Sequence, residues 1–417
     1  MGTPLSGPVT RTRDGRLIGD EGYDKQSGLY LAFGGQTFPK LDRRPTRDDG
    51  VAAAKRLRKL LFSEVPFREP ATDGAALLAL YLAGVARKVL PQAPAGLITA
   101  AVQGTGKTTA ARMLHVVLTG RDMPVQSVSP DKNEFQKAIF ATLMRQPAMV
   151  CFDNLPDATT LDSPELARII TAPMYEGRVL GLSKMMTVPT NTLVTFTGNA
   201  ITVAADLTRR IIKVDLLAKE ARPEQHQYQH QDVVRYVQSV RVQVIADLLT
   251  IQLACRRKRR TRFGCGPEFD ALVTWPLEFA GEEGLFAKRE ELAQESPDER
   301  AKIAALLALA NVYGVVKVSG KAEGKEFTPA DAVRKMVALQ FGPPARDGSP
   351  ERELRDAIEE ANPNRVKSVD ALGRFLGQLV DQPLREGLRL KARIVHGSRK
   401  YRIEGEKESE PTKGKLD

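Results

Sequence analysis

Five consecutive residues, Gly104-Thr105-Gly106-Lys107-Thr108, have the types and the order that phosphate binding requires. The glycines let backbone N–H groups crowd onto phosphate oxygens, and the lysine reaches the terminal phosphates. The Thr108 hydroxyl suits a Mg2+ ion, and Thr109 follows it in the same turn. The apolar, β-capable run 96–100 precedes the loop and a helical stretch follows it, so the positive end of a helix faces the anion. One position departs from the full pattern: the place six residues before the lysine, expected to be glycine, is Ala101.

Three further stretches could complete such a site. The run 148–152 is apolar and ends in Asp153, which predicts a strand of a parallel sheet buried on both faces. At the end of that strand Asp153 would lie beside Lys107 and Thr108 and hold Mg2+ through water. The stretch 192–199 reads as another buried strand ending in Asn199, an amide able to orient an attacking water or touch a γ-phosphate. Arg209 and Arg210 stand just before a last apolar strand, where an arginine can reach the phosphate held by a neighbouring subunit. Between these, 176–189 reads as two short strands around a basic tip that carries Lys184, with Arg178 at its base. The expected cofactors are ATP and Mg2+.

Taken together, the loop, Phe152-Asp153-Asn154, the hairpin with Lys184, Thr197-Gly198-Asn199 and Leu207-Thr208-Arg209-Arg210 resemble the superfamily 3 branch of AAA+ helicases. They are closest to the helicase half of phage, prophage and plasmid primase–helicase proteins, and Pro45-Thr46-Arg47-Asp48-Asp49 with its following helices joins the likeness, which spans 45–215. The resemblance implies a P-loop NTPase fold, with Lys107 and Thr108 as ATP and Mg2+ contacts, Asp153 as metal acid and Asn199 as sensor. It also implies Lys184 as the hairpin lysine on single-stranded DNA and Arg210 as the arginine finger, with Arg209 the nearest alternative. Many relatives carry a second acid beside the metal acid as general base. Here Asn154 occupies that place, and an amide cannot take a proton. Either Asp157 or another acid substitutes, or hydrolysis is slow. The primase half usual in the group does not precede the likeness, which leaves two expectations open: a fragment of a longer protein, or a stand-alone motor with a separate primase as partner.

Several elements must position these residues. Residues 1–45 read as an extended arm with one strand, and 46–92 as a helical unit of two helices, 46–62 capped by Thr46 and 72–89 apolar on most sides. The ATPase core is expected at 93–220, with a second strand at 124–128 and a helix whose stripe is Phe135, Ile139 and Leu143. A helical connecting region fills 221–342 and includes a basic run at 256–262 suited to phosphate contacts. Helices at 351–361 and 368–380 and a hairpin to residue 404 resemble a winged helix, with Arg399 and Lys400 in the wing against duplex DNA and a charged, disordered tail at 405–417.

The whole is an expected α/β chain: a P-loop core with flanking helical regions and a C-terminal winged helix. Sixty-two Lys and Arg against 51 Asp and Glu give a net charge of +11, which favours a polyanionic partner. Three cysteines without metal-ligand spacing point to a reducing compartment, so a cytoplasmic location is expected, and no apolar run suggests a membrane partner. A finger acting in trans demands a head-to-tail interface that closes into a ring, expected as a homo-hexamer. The function so read is that of an ATP-dependent DNA helicase or translocase in replication of a mobile element. A helicase loader and a nucleotide-switched DNA-binding regulator are the other readings.

Overall fold

In the computed structural model, the described residues are 4–10, 15–124, 132–218 except 158, 180, 182 and 183, 229–255 and 263–295. Beyond 300 they form a discontinuous set that includes 315–318, 321–324, 350–361, 388–395 and 398–405. The chain divides into two units, 1–296 and 297–417.

The first unit is built on four parallel strands, β5 (Ala95–Ala100), β6 (Met149–Leu155), β10 (Leu193–Asn199) and β12 (Ile211–Leu216), in the order β12-β5-β10-β6. All six residues of β5 and all seven of β10 are buried. That is why these segments read as unbroken apolar runs: helices cover both faces of the sheet. Alternate residues divide between the two cores. Leu97, Val150, Phe152, Val194 and Phe196 point into one, and Ile98, Ala100, Cys151 and Val214 into the other.

The second of these cores is closed by helices α1 (Arg47–Leu61), α2 (Pro70–Ala86), α3 (Lys107–Thr119) and α7 (Val233–Ala254). Thr46 caps α1 as expected. Its hydroxyl accepts from the Asp49 amide at 3.2 Å while the Asp49 carboxylate accepts from the Thr46 amide at 2.8 Å. Ala53, Ala54, Leu57 and Leu61 form its buried stripe. The other face of the sheet is covered by α4 (Lys132–Arg145), which buries Ile139, Phe140 and Leu143, and by α5 (Pro164–Thr171). Short strands β7 (Thr160–Leu161) and β11 (Thr202–Val203) pair outside the main sheet, hairpin β8 (Met174–Arg178) with β9 (Met185–Pro189) projects beside it, and α6 (Ala205–Thr208) leads into β12. After α7 come α8 (Pro267–Phe269), a π turn (Asp270–Thr274), α9 (Trp275–Phe279) and α10 (Leu285–Glu295). The strand expected at 124–128, the run 219–228 and the basic run 256–262 lie outside the described residues.

Two boundaries differ from the sequence reading. Residues 4–33 are not an extended arm. Strands β1 (Val9–Thr10) and β2 (Leu17–Ile18) pair, as do β3 (Gly22–Asp24) and β4 (Leu29–Leu31), over a small core of Val9, Ile18, Leu31 and Phe33. Arg241 of α7 fixes this segment. The residue is 1 % exposed, and its guanidinium donates to the carbonyls of Val117 (2.9 Å) and Ser6 (3.0 Å), the Ser6 hydroxyl (2.7 Å) and the Gln36 side chain. A buried guanidinium must place all its donors, and the folded-back arm supplies the acceptors.

The second difference is the end of the first unit. The expected connecting region 221–342 is not one body: α7 to α10 belong with the sheet, and the division falls at 296. In the second unit, strands β13 (Val315–Val318) and β14 (Lys321–Gly324), read from sequence as part of a helical region, join β15 (Leu388–Val395) and β16 (Ser398–Gly405) in an antiparallel sheet ordered β13-β14-β16-β15. Three valines in a four-residue strand favour the pleated form. Helix α11 (Pro350–Ala361) buries Leu354 and Ile358 in a core with Leu309, Phe327, Leu390, Tyr401 and Ile403. Most of the expected helix 368–380 lies outside the described residues, although Leu372 and Leu376 are described and buried. The tail from 406 on also lies outside them.

Candidate nucleotide site

Parallel strands present their C-terminal ends to the connections that follow, and ligands of such sheets bind there. The loop between β5 and α3 lies at that rim. Gly104 and Gly106 have φ of +74° and +85°, the left-handed region where a side chain would be strained. Gly106 is the N-cap of α3 and supplies no side-chain acceptor, and the first helical bond runs from the Ala110 amide to the Gly106 carbonyl at 2.9 Å. The amides of Lys107, Thr108 and Thr109 therefore have no acceptor within the helix and are open to an anion, with the helix dipole behind them. Ala101, the departure from the pattern, is exposed, so its methyl crowds nothing.

Lys107 is only 8 % exposed, and its ammonium donates to the Val102 carbonyl at 3.0 Å and the Thr105 hydroxyl at 3.2 Å. Burial pushes its pKa down, against the pull of the Asp157 and Asp153 carboxylates. The loop holds a poorly solvated cation whose present acceptors are neutral. Phosphate oxygens would be better ones.

Asp153 lies on β6, one strand removed from the loop strand, because β10 runs between them. Its Oδ1 accepts from the Thr108 hydroxyl at 2.9 Å and from the Thr197 hydroxyl at 2.5 Å. Thr197, which the sequence reading did not single out, also accepts from the Asn154 amide at 2.9 Å. This arrangement rests on a bulge. Phe196 pairs with Phe152, but Gly198 pairs with Leu155, so Asp153 and Asn154 together face Thr197. Asn154 absorbs the extra residue with φ of +57° and an exposed side chain. A carboxylate, a hydroxyl and adjacent phosphate oxygens form the hard-oxygen set that Mg2+ prefers, so Thr108 and Asp153 fit that ion.

Asn199 ends β10 opposite Ala100 and is 4 % exposed. Its amide nitrogen donates to Asp157 Oδ1 at 2.9 Å, and its Oδ1 is buried with no partner among the described residues. Gly198 before it admits no side chain, since a Cβ would meet Ile201 at 2.8 Å and Leu155 Cβ at 3.0 Å.

Beside the loop is a cavity of about 180 Å3 lined by Leu61, Pro66, Gly106, Thr109, Met113 and Tyr236. On its α7 side the His230 imidazole stacks on the Tyr236 ring, centroids 3.6 Å apart and planes at 9°. The Tyr236 hydroxyl donates to the Leu60 carbonyl at 3.0 Å. Sequence reasoning missed this wall. Its only signal was an aromatic residue in the first turn of a helix far along the chain from the loop.

The remaining expected residues lie elsewhere. Arg209 is exposed and Arg210 half-buried, and the Arg210 carbonyl accepts from the Ala95 amide at 2.9 Å. Both arginines are thus at the N-terminal rim of the sheet. The six paired residues of β5 separate them from the loop, about 20 Å at ~3.3 Å per residue. Lys184 is exposed at the tip of the β8–β9 hairpin, where its carbonyl accepts from Val179, and Arg178 is exposed on β8. Gly177 lets this hairpin lie flat on Phe140, whose ring a Cβ there would meet at 2.6 Å. In the second unit, Lys400 stands opposite Arg393 and Arg399 opposite Ile394 in the β15–β16 hairpin.

No family model matches the sequence, and no curated protein matches it. Among solved structures, the chain is similar to the A form apo structure of the NrS-1 C-terminal region. Identity is 12 %, the match covers 93 % of this chain and 83 % of that one, and the TM-score is 0.36, too loose a likeness to inform the site. Among the described residues no helix is long and apolar enough to cross a membrane.

Proposed function

We propose that the chain is an ATPase whose site is the β5–α3 loop, and that it works as a DNA-translocating motor of the superfamily 3 type in replication of a mobile element. One observation carries this reading: the Thr108 and Thr197 hydroxyls converge on one carboxylate oxygen of Asp153 beside an uncapped helix N-terminus and the buried Lys107. The α3 amides and Lys107 would take the β- and γ-phosphates. The cavity beside Gly106 and Thr109 would take the base, with Tyr236 as its aromatic wall. Thr108 and Asp153 would hold Mg2+, which offsets charge on the transferring phosphoryl group. Asn199, fixed by Asp157, orients the attacking water.

Arg210 is too far from its own loop to touch that phosphate, so any catalytic part it plays is in a neighbour's site, within a ring. The basic balance of the chain and the exposed Lys184 and Arg178 support single-stranded DNA as the ligand of the hairpin, and Arg399 and Lys400 support duplex DNA at the second unit. Asn154, exposed and without a carboxylate, favours a second reading: a slow nucleotide-switched regulator.

Steady-state ATPase with and without single-stranded DNA separates the two. The motor predicts turnover strongly stimulated by DNA and abolished in Lys107→Ala. Negligible turnover with nucleotide-dependent duplex binding would support the regulator instead. Near-wild-type turnover in Lys107→Ala would remove the site from this loop.

A further inference from the structure

We infer that Asp157 is the general base for the attacking water, in place of the acid missing at Asn154. The inference rests on the ATPase reading above. The bulge explains why the base is displaced. With Asp153 and Asn154 sharing Thr197 as partner, Asn154 turns its side chain to solvent and uses its amide on the Thr197 hydroxyl. The chain then makes a turn closed by the Thr159 amide and hydroxyl on the Pro156 carbonyl, at 3.2 and 2.6 Å, with Asp157 within it.

That turn brings the Asp157 carboxylate back over the sheet rim. Its Oδ1 accepts from the Asn199 amide nitrogen at 2.9 Å, and the two strands that meet there are those of the metal acid and the sensor. Asp157 and Asp153 are the two carboxylates whose charges act on buried Lys107, and Asp157 is the stronger of them. Both therefore belong to the space in front of the loop. Their roles separate by environment. Asp153 is committed to two hydroxyls on one oxygen, whereas Asp157 is exposed and, among the described residues, accepts on one oxygen alone, from Asn199. Its Oδ2 is the acceptor left for a proton. Next to it in the strand end, the Oδ1 of Asn199 is buried and has no partner among the described residues, a polar atom that a water held against Asp157 would satisfy.

In the step so assigned, the water oxygen forms a bond to the γ-phosphorus and the bond from phosphorus to the β–γ bridging oxygen breaks. The bond electrons leave on the nucleoside diphosphate. The water proton passes to Asp157 Oδ2 and from there to the phosphate product or solvent.

Asp157→Asn is the decisive variant, because its amide oxygen can still accept from Asn199 while having no basicity. The readouts are kcat for ATP and affinity for a fluorescent ATP analogue. The expected result is a loss of roughly 10²- to 10⁴-fold in kcat with affinity within about threefold of wild type. Asp157→Glu, which keeps a carboxylate, should recover part of the loss. Turnover in Asp157→Asn within a few-fold of wild type, with Lys107→Ala inactive, would overturn the base while leaving the ATPase standing. A wild-type protein that neither binds nor hydrolyses ATP would overturn both.

Discussion

A carboxylate that takes two hydroxyls on one oxygen is held as firmly as a side chain of its length can be. Asp153 is so held by Thr108 from the loop helix and Thr197 from the neighbouring strand. Thr197→Val keeps the shape and removes the hydroxyl, leaving the Asn154 amide without its acceptor and Asp153 with one fixed partner. Loss of about 0.5–1.5 kcal/mol is expected from the lost hydrogen bond, measurable by urea denaturation. The Mg2+ concentration that supports half-maximal ATPase should rise, because the metal acid is less well positioned. An unchanged Mg2+ requirement would show that Thr197 only packs. The acid at 153 was legible because it ends an apolar run, and the loop threonine because it follows the Gly-Lys pair of a phosphate-binding pattern. Thr197 was not, since a threonine inside a buried strand looks like any β-branched residue until the bulge puts its hydroxyl against Asp153.

At the scale of elements, α10 is tied to the sheet by charge. Lys288, 2 % exposed by its side chain, meets Asp215 at 2.7 Å, Asp73 at 3.0 Å and Glu291 at 2.9 Å, while Asp73 also accepts from the Asp215 amide. Burial acts to lower the Lys288 pKa, but these carboxylates outweigh it and raise it above the usual lysine value. Lys288→Met takes the cation from buried Asp73, while Lys213 still meets Asp215 at 3.1 Å, and a loss of about 3 kcal/mol is expected. The sign of the pH effect follows. A raised folded pKa contributes stability that is complete below the unfolded value near ~10.4 and is lost as pH rises through the folded one. On the alkaline side the gap between wild type and variant should therefore narrow only in strong alkali, as read from denaturation midpoints against pH.

The hairpin element is tested separately. Lys184→Ala should lower the ratio of DNA-stimulated to unstimulated ATPase and reduce the salt slope of binding by about one unit, as expected when one phosphate contact is lost. An unchanged ratio would mean the hairpin is structural. The sheet strands could be read from their unbroken apolar runs, α1 from its cap and α4 from its stripe. Their order could not: β10 lies between β5 and β6, and no local pattern records which crossover passes between two strands. The arm was misread because its strands are two or three residues long, too short for alternation to register, and its anchor is Arg241 more than 200 residues away in the chain. Likewise, β14 joins β16 through Glu323 and Glu404, 81 residues apart in the chain, beyond what a local window can pair.

At the scale of the whole molecule, the proposal is that no chain completes its own active site. Lys107 and Asp153 lie at one rim of the sheet and Arg210 at the other, about 20 Å apart along β5. A head-to-tail ring places one rim against the next subunit's loop. The most direct measurement is therefore the ATPase rate of a mixture of Lys107→Ala and Arg210→Ala proteins after subunit exchange. Each variant alone should be nearly inactive, since an arginine finger is worth about 10³ to 10⁵ in rate. In the mixture, interfaces that pair an intact Lys107 with an intact Arg210 should restore part of the wild-type rate. Full activity in Arg210→Ala alone, or a normal rate from a protein that stays monomeric, would contradict the account.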